Sequence, residues 1–512
     1  MTGDPNLEPS TPAALVLPPG AAVLPVRQSA TAGSRLPHQL RDVSAIGLIV
    51  VFGLLADDWL ASVGLLILFL GWKYLAREPG PPIIAAAFSL QWLQIMAAIV
   101  YFAISGRKVW EMREGSYEQM VMLGLAAAVT LFTGFYLAAG FGRFRRWRET
   151  PPRMLPVSTN RITIFYLSTV AGSGVLQELA WSTPGLTQPL LVLSRIRYVL
   201  LYFLVTRLIR LKMPWPWIAG ILATELSLGF SGFFAEFREP LVVIAIAVLG
   251  TMDRKRARTW GIVGGLAALA VFSAIVWTAI KPVVRSNYVG VVSRSERLGA
   301  ALVVAGETFT LRGAEWKWQS DAMISRIWAI YYPSLALPRV PSVIPHENGR
   351  ILWGAVQNAL TPRLFFPRKR ALPSQSDEVR KYSGIWVAGR ETNTSYAFGY
   401  VAESYVDFGI PLMFVPIFGW GILLGFAYKW LRKNLHYDEL RTGIIVVIFW
   451  AVLTPYEASW VMMIGPAVTI MAILGVGAVL VDKFFRNAAK QAGLAQPRRV
   501  SGLMPQPHRV SK

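Results

Sequence analysis

Apolar residues in this chain come in long blocks. Twelve runs stand out, at 44–56, 59–75, 82–104, 120–140, 161–180, 187–209, 216–234, 238–252, 259–280, 409–430, 442–455 and 460–481. Most approach the roughly 17–25 residues that a helix needs to cross a bilayer. The first two form a pair turning at Asp57-Asp58. The 44–56 run and the core after Pro240 are short, and read as tilted, half-inserted or broken helices. Residues 1–42, rich in Pro, Ala and Ser, read as a disordered tail. The first long apolar run begins near Ser44 with no cleavage site after it, so no signal peptide is expected. No strong internal repeat is visible, which weighs against the repeat-built transporters.

The polar residues between the runs set an orientation. Cytoplasmic loops carry an excess of Lys and Arg. With the N-terminus inside, the inside loops hold Arg143, Arg145, Arg146, Arg148 and Arg153, then Arg207, Arg210 and Lys212, then Arg254, Lys255, Arg256 and Arg258, then Lys429, Arg432 and Lys433. The outside turns hold Asp57, Asp58, Glu178, Glu236, Glu239 and Glu457. The expected fold is an all-α polytopic membrane protein with about twelve transmembrane helices and both termini cytoplasmic. Residues 1–42 and 483–512 are tails, 43–280 a first bundle of about nine segments, 281–408 a helical extracytoplasmic loop domain, and 409–482 the last three segments.

Composition narrows the chemistry. Only 16% of the 512 residues are charged, against about 25% in soluble proteins. There is no cysteine, which excludes disulfides, thiolate metal sites and cysteine nucleophiles. His38, His346, His436 and His508 form no ligand pattern, and no phosphate loop, zinc motif or EF-hand is present, so neither metal nor cofactor is expected. A net charge of +22 would suggest nucleic acid for a soluble chain. Here the orientation rule accounts for most of it, and no nucleic-acid partner is expected.

The 281–408 stretch is too long for a mere connection. It contains Trp316, Trp318, Trp328, Tyr331, Tyr332, Trp353 and Trp386, with helix-like runs at 298–311, 319–332 and 349–360. Its sixteen Lys and Arg against ten Asp and Glu run counter to the orientation rule. That excess points either to an anionic partner such as a diphosphate or acidic sugar, or to a solvated surface or anionic lipid heads. The densest patch, 362–370, carries Arg363, Arg368, Lys369 and Arg370 on a turn rigidified by Pro362 and Pro367. It could hold a diphosphate by preformed contacts, or anchor at the lipid boundary through Phe365 and Phe366. Further on come Glu391, Tyr400, and Glu403 and Asp407, the last two spaced to share a helix face. A carboxylate here could bind sugar hydroxyls or accept a proton; for Asp407 helix capping is the favoured reading. Inside the membrane, Arg195, Arg197 and Glu225 are costly charges. One arginine can pair with Glu225, either as a structural ion pair, the favoured reading, or in direct catalysis. Gln91 and Gln94 are expected to bond between helices. Arg238 starts a helix and can face an anion, or form a local ion pair.

Several of these stretches resemble bacterial Wzy-type polysaccharide polymerases. They are Ser89-Leu90-Gln91-Trp92-Leu93-Gln94, the turn at Arg238, Pro362-Arg363 with Pro367 and Lys369, Tyr382-Ser383-Gly384, and the run Gly399 to Gly409 entering a helix with Gly419, Gly421 and Gly425. The resemblance implies an inner-membrane glycosyltransferase of GT-C-like fold. Such enzymes join polyprenyl-pyrophosphate-linked oligosaccharide repeats at the outer leaflet, and resemble the metal-independent O-antigen ligases. Arg238 and Arg363 match arginine positions of the family; Arg368, Lys369 and Glu403 rest more on chemistry. The expected catalytic residues are Arg363, Glu403 and Arg238. The expected substrate-binding residues are Arg368, Lys369, Arg370, Arg195, Arg197, Glu225, Glu391 and Tyr400. The implied partners are the lipid-linked oligosaccharide, the bilayer, and a chain-length regulator and flippase of the same pathway. A lipid-linked oligosaccharide flippase, an O-antigen ligase and a non-catalytic assembly subunit remain as alternatives.

Overall fold

The computed structural model describes residues 38–491 except 57, 78–79, 108, 110–116, 142–152, 184, 232–236, 287–298, 300–301, 305, 308–309, 311, 364, 367, 370–373, 390 and 392–394. Arg370, the loop arginines 143–148, both distal tails and much of the 298–311 run lie outside the described residues. The chain divides into a first unit ending at Leu48 and a second from Ile49 onward. Of the first, only the opening turns of one helix are described.

All regular structure among the described residues is helical. The helices are α1 (His38–Ala56), α2 (Trp59–Leu75), α3 (Ile83–Ile104), α4 (Tyr117–Ala139), α5 (Thr159–Ser182), α6 (Thr187–Ser194), α7 (Ile196–Arg210), α8 (Trp215–Ser231), α9 (Arg238–Thr251) and α10 (Ala257–Ser286). Five shorter helices follow: α11 (Gly313–Ile327), α12 (Tyr331–Ala336), α13 (Arg350–Leu360), α14 (Gln375–Ser383) and α15 (Tyr400–Phe408). The chain ends on α16 (Phe414–Asn434), α17 (Asp438–Leu453), α18 (Trp460–Ile470) and, after a π-helical turn, α19 (Val476–Gln491).

Over the described residues each expected apolar run coincides largely with helix, although 187–209 breaks at Arg195 and 409–430 turns helical only at Phe414. Among the described residues, six helices are long and apolar enough to cross a membrane: α3, α4, α6 with α7, α10, α16, and α18 through α19. The residues around α1 and α2 form shorter apolar helices. The rest have physical reasons for falling short. Helices α8, α9 and α17 have 17, 14 and 16 residues, and α5 mixes its apolar residues with Thr, Ser, Gln and Glu.

Local chemistry sets the breaks. The Asp58 carboxylate accepts the Leu60 and Ala61 N–H groups at 3.0 and 3.1 Å, capping α2. Helices α4 and α16 approach backbone to backbone. A Cβ at Gly421 would lie 2.1 Å from the Leu131 carbonyl oxygen, and one at Gly425 2.5 Å from that of Phe135. Small residues permit such approach where apolar burial gives no drive between lipid-bathed helices.

The bundle has two different ends. At one, Arg207 donates to both Glu439 oxygens at 2.7 Å, with both side chains buried. Arg254 binds the Gly80 carbonyl, and Asp482 accepts the His436 and Tyr437 N–H groups, at this same end. Helices α11 to α15 gather at the other.

Candidate functional site

The end of α17 is recessed. Gln91 donates to the Leu453 carbonyl and Gln94 to that of Thr454, both at 2.7 Å, and the Tyr456 N–H donates back to Gln94 Oε1. These are the interhelical bonds expected of the two glutamines. They fix the 454–459 turn to the middle of α3, about ten residues or 15 Å short of its end. Helix α11 lies antiparallel along that free half of α3. Trp328 Nε1 donates to the Ile95 carbonyl at 2.9 Å, the Ala329 N–H donates to that of Gln94, and Arg107 pairs with Asp321 at 3.2 Å. On another side Gly399, in the left-handed region at φ 90°, passes so close that a Cβ would sit 3.2 Å from the Tyr456 carbonyl oxygen. The Tyr400 N–H donates to Ala458 O at 2.7 Å.

Glu457 lies on this turn, accessible to solvent yet walled by protein on most sides. Poor solvation raises its carboxyl above the ordinary value, while Arg238 and Arg326 both favour the charged form. Both arginines are exposed, and Arg238 also pairs with Glu239 at 3.4 Å. The turn therefore sets the Glu457 carboxyl within electrostatic reach of two guanidinium groups.

A second cluster sits behind it. Glu403 is 1% exposed; its Oε2 accepts the Trp460 N–H at 2.7 Å, and its Oε1 is buried without a hydrogen-bond partner, with Glu378 of α14 as the neighbouring carboxyl. Burial, and after it repulsion from the neighbouring Glu378 carboxyl, pushes Glu403 well above its ordinary value. Asp407 accepts the Ile351 and Leu352 N–H groups at 3.1 and 2.8 Å. It caps α13 from a distance because the residue at the cap position, Gly349, has no side chain. Glu347 accepts from Arg350, Lys381 and the Tyr382 hydroxyl, which lower its carboxyl to about 2.

The sequence candidates divide accordingly. Arg238 reaches the recess. Glu403 takes internal partners and presents no open face, and the Tyr400 hydroxyl is likewise buried, donating to Gln91 Oε1 at 3.0 Å. Glu391 is exposed and paired with Arg380. Arg363 and Arg368 stand exposed after α13, while Lys369 donates to the Asn358 and Thr361 carbonyls at 2.6 and 3.0 Å, capping that helix. Arg197, not Arg195, faces Glu225, at 3.6 Å, and Tyr166 donates to the same carboxylate at 2.9 Å. Arg195 is half-buried at the break between α6 and α7. Arg326, Glu457 and Glu378 were not singled out as site residues from sequence. The available signal was an acid in an otherwise apolar turn, which the orientation pattern had absorbed. No family model, curated protein or solved structure matches this chain.

Proposed function

We propose that this protein is a membrane glycosyltransferase of the polysaccharide-polymerase type. It joins polyprenyl-pyrophosphate-linked oligosaccharide repeats at the outer leaflet of a bacterial inner membrane. In this reading all twelve apolar segments cross or enter the bilayer. The end rich in loop arginines is cytoplasmic, and the 281–408 helices form the extracytoplasmic domain.

The observation that carries the reading is the recess, where Arg238 and Arg326 act on Glu457. Two fixed cations suit a diphosphate. As the bond from the anomeric carbon to the phosphate oxygen breaks, its electron pair leaves on the diphosphate. Arg238 and Arg326 offset that growing charge. The acceptor hydroxyl oxygen bonds to the anomeric carbon, and its proton passes to Glu457, whose raised carboxyl suits a general base. Tyr332 and Tyr396, with ring centroids 5.5 Å apart, offer a sugar-stacking surface near the turn. Gln375, bonded to Ser459 at 2.8 Å, ties their neighbourhood to it.

The test replaces Arg238 by Ala, Arg326 by Ala and Glu457 by Gln one at a time, at matched protein level. Each variant should lose long-chain polymer. Wild-type chain length in all three would overturn the assignment.

A further inference from the structure

The segment after α13 has no place in the recess chemistry, yet its geometry is defined. Lys369 holds the end of α13, and the Phe365 and Phe366 N–H groups both donate to the Pro362 carbonyl at 3.0 Å. This tight turn presents Phe365 and Phe366 outward, 73% and 50% exposed. Arg363 and Arg368 flank them, both exposed. The exposed face of helix α13 carries Trp353 and Leu360 together with Arg350 and Gln357. Only Ala355 is fully buried in the helix, while Trp353 and Leu360 are 60% and 71% exposed.

What covers this surface follows from its neighbour. Helix α13 packs along α18, the first part of a 32-residue apolar helix long enough to span a membrane. Met462 and Val468 of α18 are half exposed, as lipid-facing residues are. The outer face of α13 is thus continuous with a lipid-facing surface, at the bundle end that carries the recess. Apolar and aromatic side chains flanked by arginines have the composition of an interfacial anchor. The depression lined by Thr361, Phe365, Phe366, Arg368 and Lys369 is shallow and wide open, which suits a surface contact.

We propose that α13 and the 361–369 turn form a monolayer anchor. The apolar face enters the outer-leaflet boundary, and Arg363 and Arg368 bind the phosphates of anionic phospholipid headgroups. This assigns Arg363 to the bilayer and leaves Arg238 to the reacting diphosphate. The inference takes its leaflet from the orientation in the proposed reading, while the anchor itself rests on the spanning helices and stands whether or not the transfer reaction does.

The chain has no native cysteine, so single labels report cleanly. Phe365→Cys, Phe366→Cys and, as a polar control, Ser342→Cys would each carry a nitroxide in the full chain. Each would be reconstituted in phosphatidylcholine vesicles with and without one quarter phosphatidylglycerol. Monodisperse elution of each variant checks folding. In the mixed vesicles the labels at 365 and 366 should be severalfold more accessible to oxygen, relative to a nickel chelate, than the label at 342. Adding Arg363→Gln and Arg368→Gln should reduce that immersion with phosphatidylglycerol present and leave it unchanged without. Labels at 365 and 366 as open to nickel as the control would overturn the anchor. Immersion indifferent to the two arginines would overturn the headgroup contact. Immersion appearing only when a polyprenyl diphosphate is added would make the turn a substrate site instead.

Discussion

Replacing Glu403 by Gln isolates the buried carboxyl pair. In the native chain Glu403 accepts the Trp460 N–H beside Glu378, an arrangement in which the pair is expected to keep one shared proton. The folded pair keeps that proton at pH values where unfolded glutamates, near 4.5, have released theirs. The sign follows from linkage: a carboxyl raised on folding gives stability that is full below about 4.5 and lost as pH rises toward the folded value. For one retained proton the slope reaches about 1.4 kcal/mol per pH unit. Gln is nearly isosteric: its carbonyl can accept from Trp460 and its amide can donate to an ionised Glu378. Glu403→Gln should therefore flatten the decline above about pH 4.5 and be at least as stable as wild type at the upper end. Glu403→Ala orphans the Trp460 N–H and opens a cavity, costing on the order of 2–4 kcal/mol at every pH. Thermal unfolding in a fixed detergent, scanned across pH, separates the three proteins. A Gln variant that keeps the wild-type slope, or is less stable than wild type at the upper end, would refute the shared proton.

Three further outcomes follow from the geometry. Gly421→Ala should separate α4 from α16 and lower the unfolding temperature, because its Cβ would meet the Leu131 carbonyl, whereas Gly419→Ala, with open space around it, should be neutral. Glu439→Gln leaves Arg207 buried without its counter-charge and should cost roughly 3–5 kcal/mol in denaturant titration; combining it with Arg207→Met should recover part of that loss. Glu347, lowered to about 2, acts with the opposite sign: its contribution is present above about 4.5 and lost as pH falls toward 2. Because Arg350 and Lys381 are largely exposed, that contribution is at most about 1 kcal/mol, and Glu347→Gln should remove only this acid-side fall in unfolding scans.

The helices were legible because a backbone in an apolar setting must satisfy its own N–H and C=O groups, and an unbroken apolar run does so only as a helix. The two charged positions that pair, Arg197 and Glu225, were legible for a related reason: an isolated charge in such a run needs a partner. Asp407 was legible as a cap, although its target helix begins far away in sequence at Arg350. The recess was not legible. It exists because Gln91 and Gln94 seize the end of α17 at mid-depth on α3, which places Glu457 near Arg238 and Arg326 from two other elements. Sequence spacing carries no trace of that depth. Glu403 looked open because α15 is short and polar on both sides. Its burial depends on α14 and α18 closing over it, a tertiary choice that periodicity in nine residues does not encode.

The most direct test of the proposed polymerase is a gel of cell-surface polysaccharide from a deletion strain, beside strains complemented with wild type and with Arg238→Ala. The deletion and the variant should both show single repeats without the long-chain ladder, and wild type should restore it. A ladder that persists in the deletion, or repeats that accumulate on lipid at the cytoplasmic leaflet, would contradict polymerisation at the outer face.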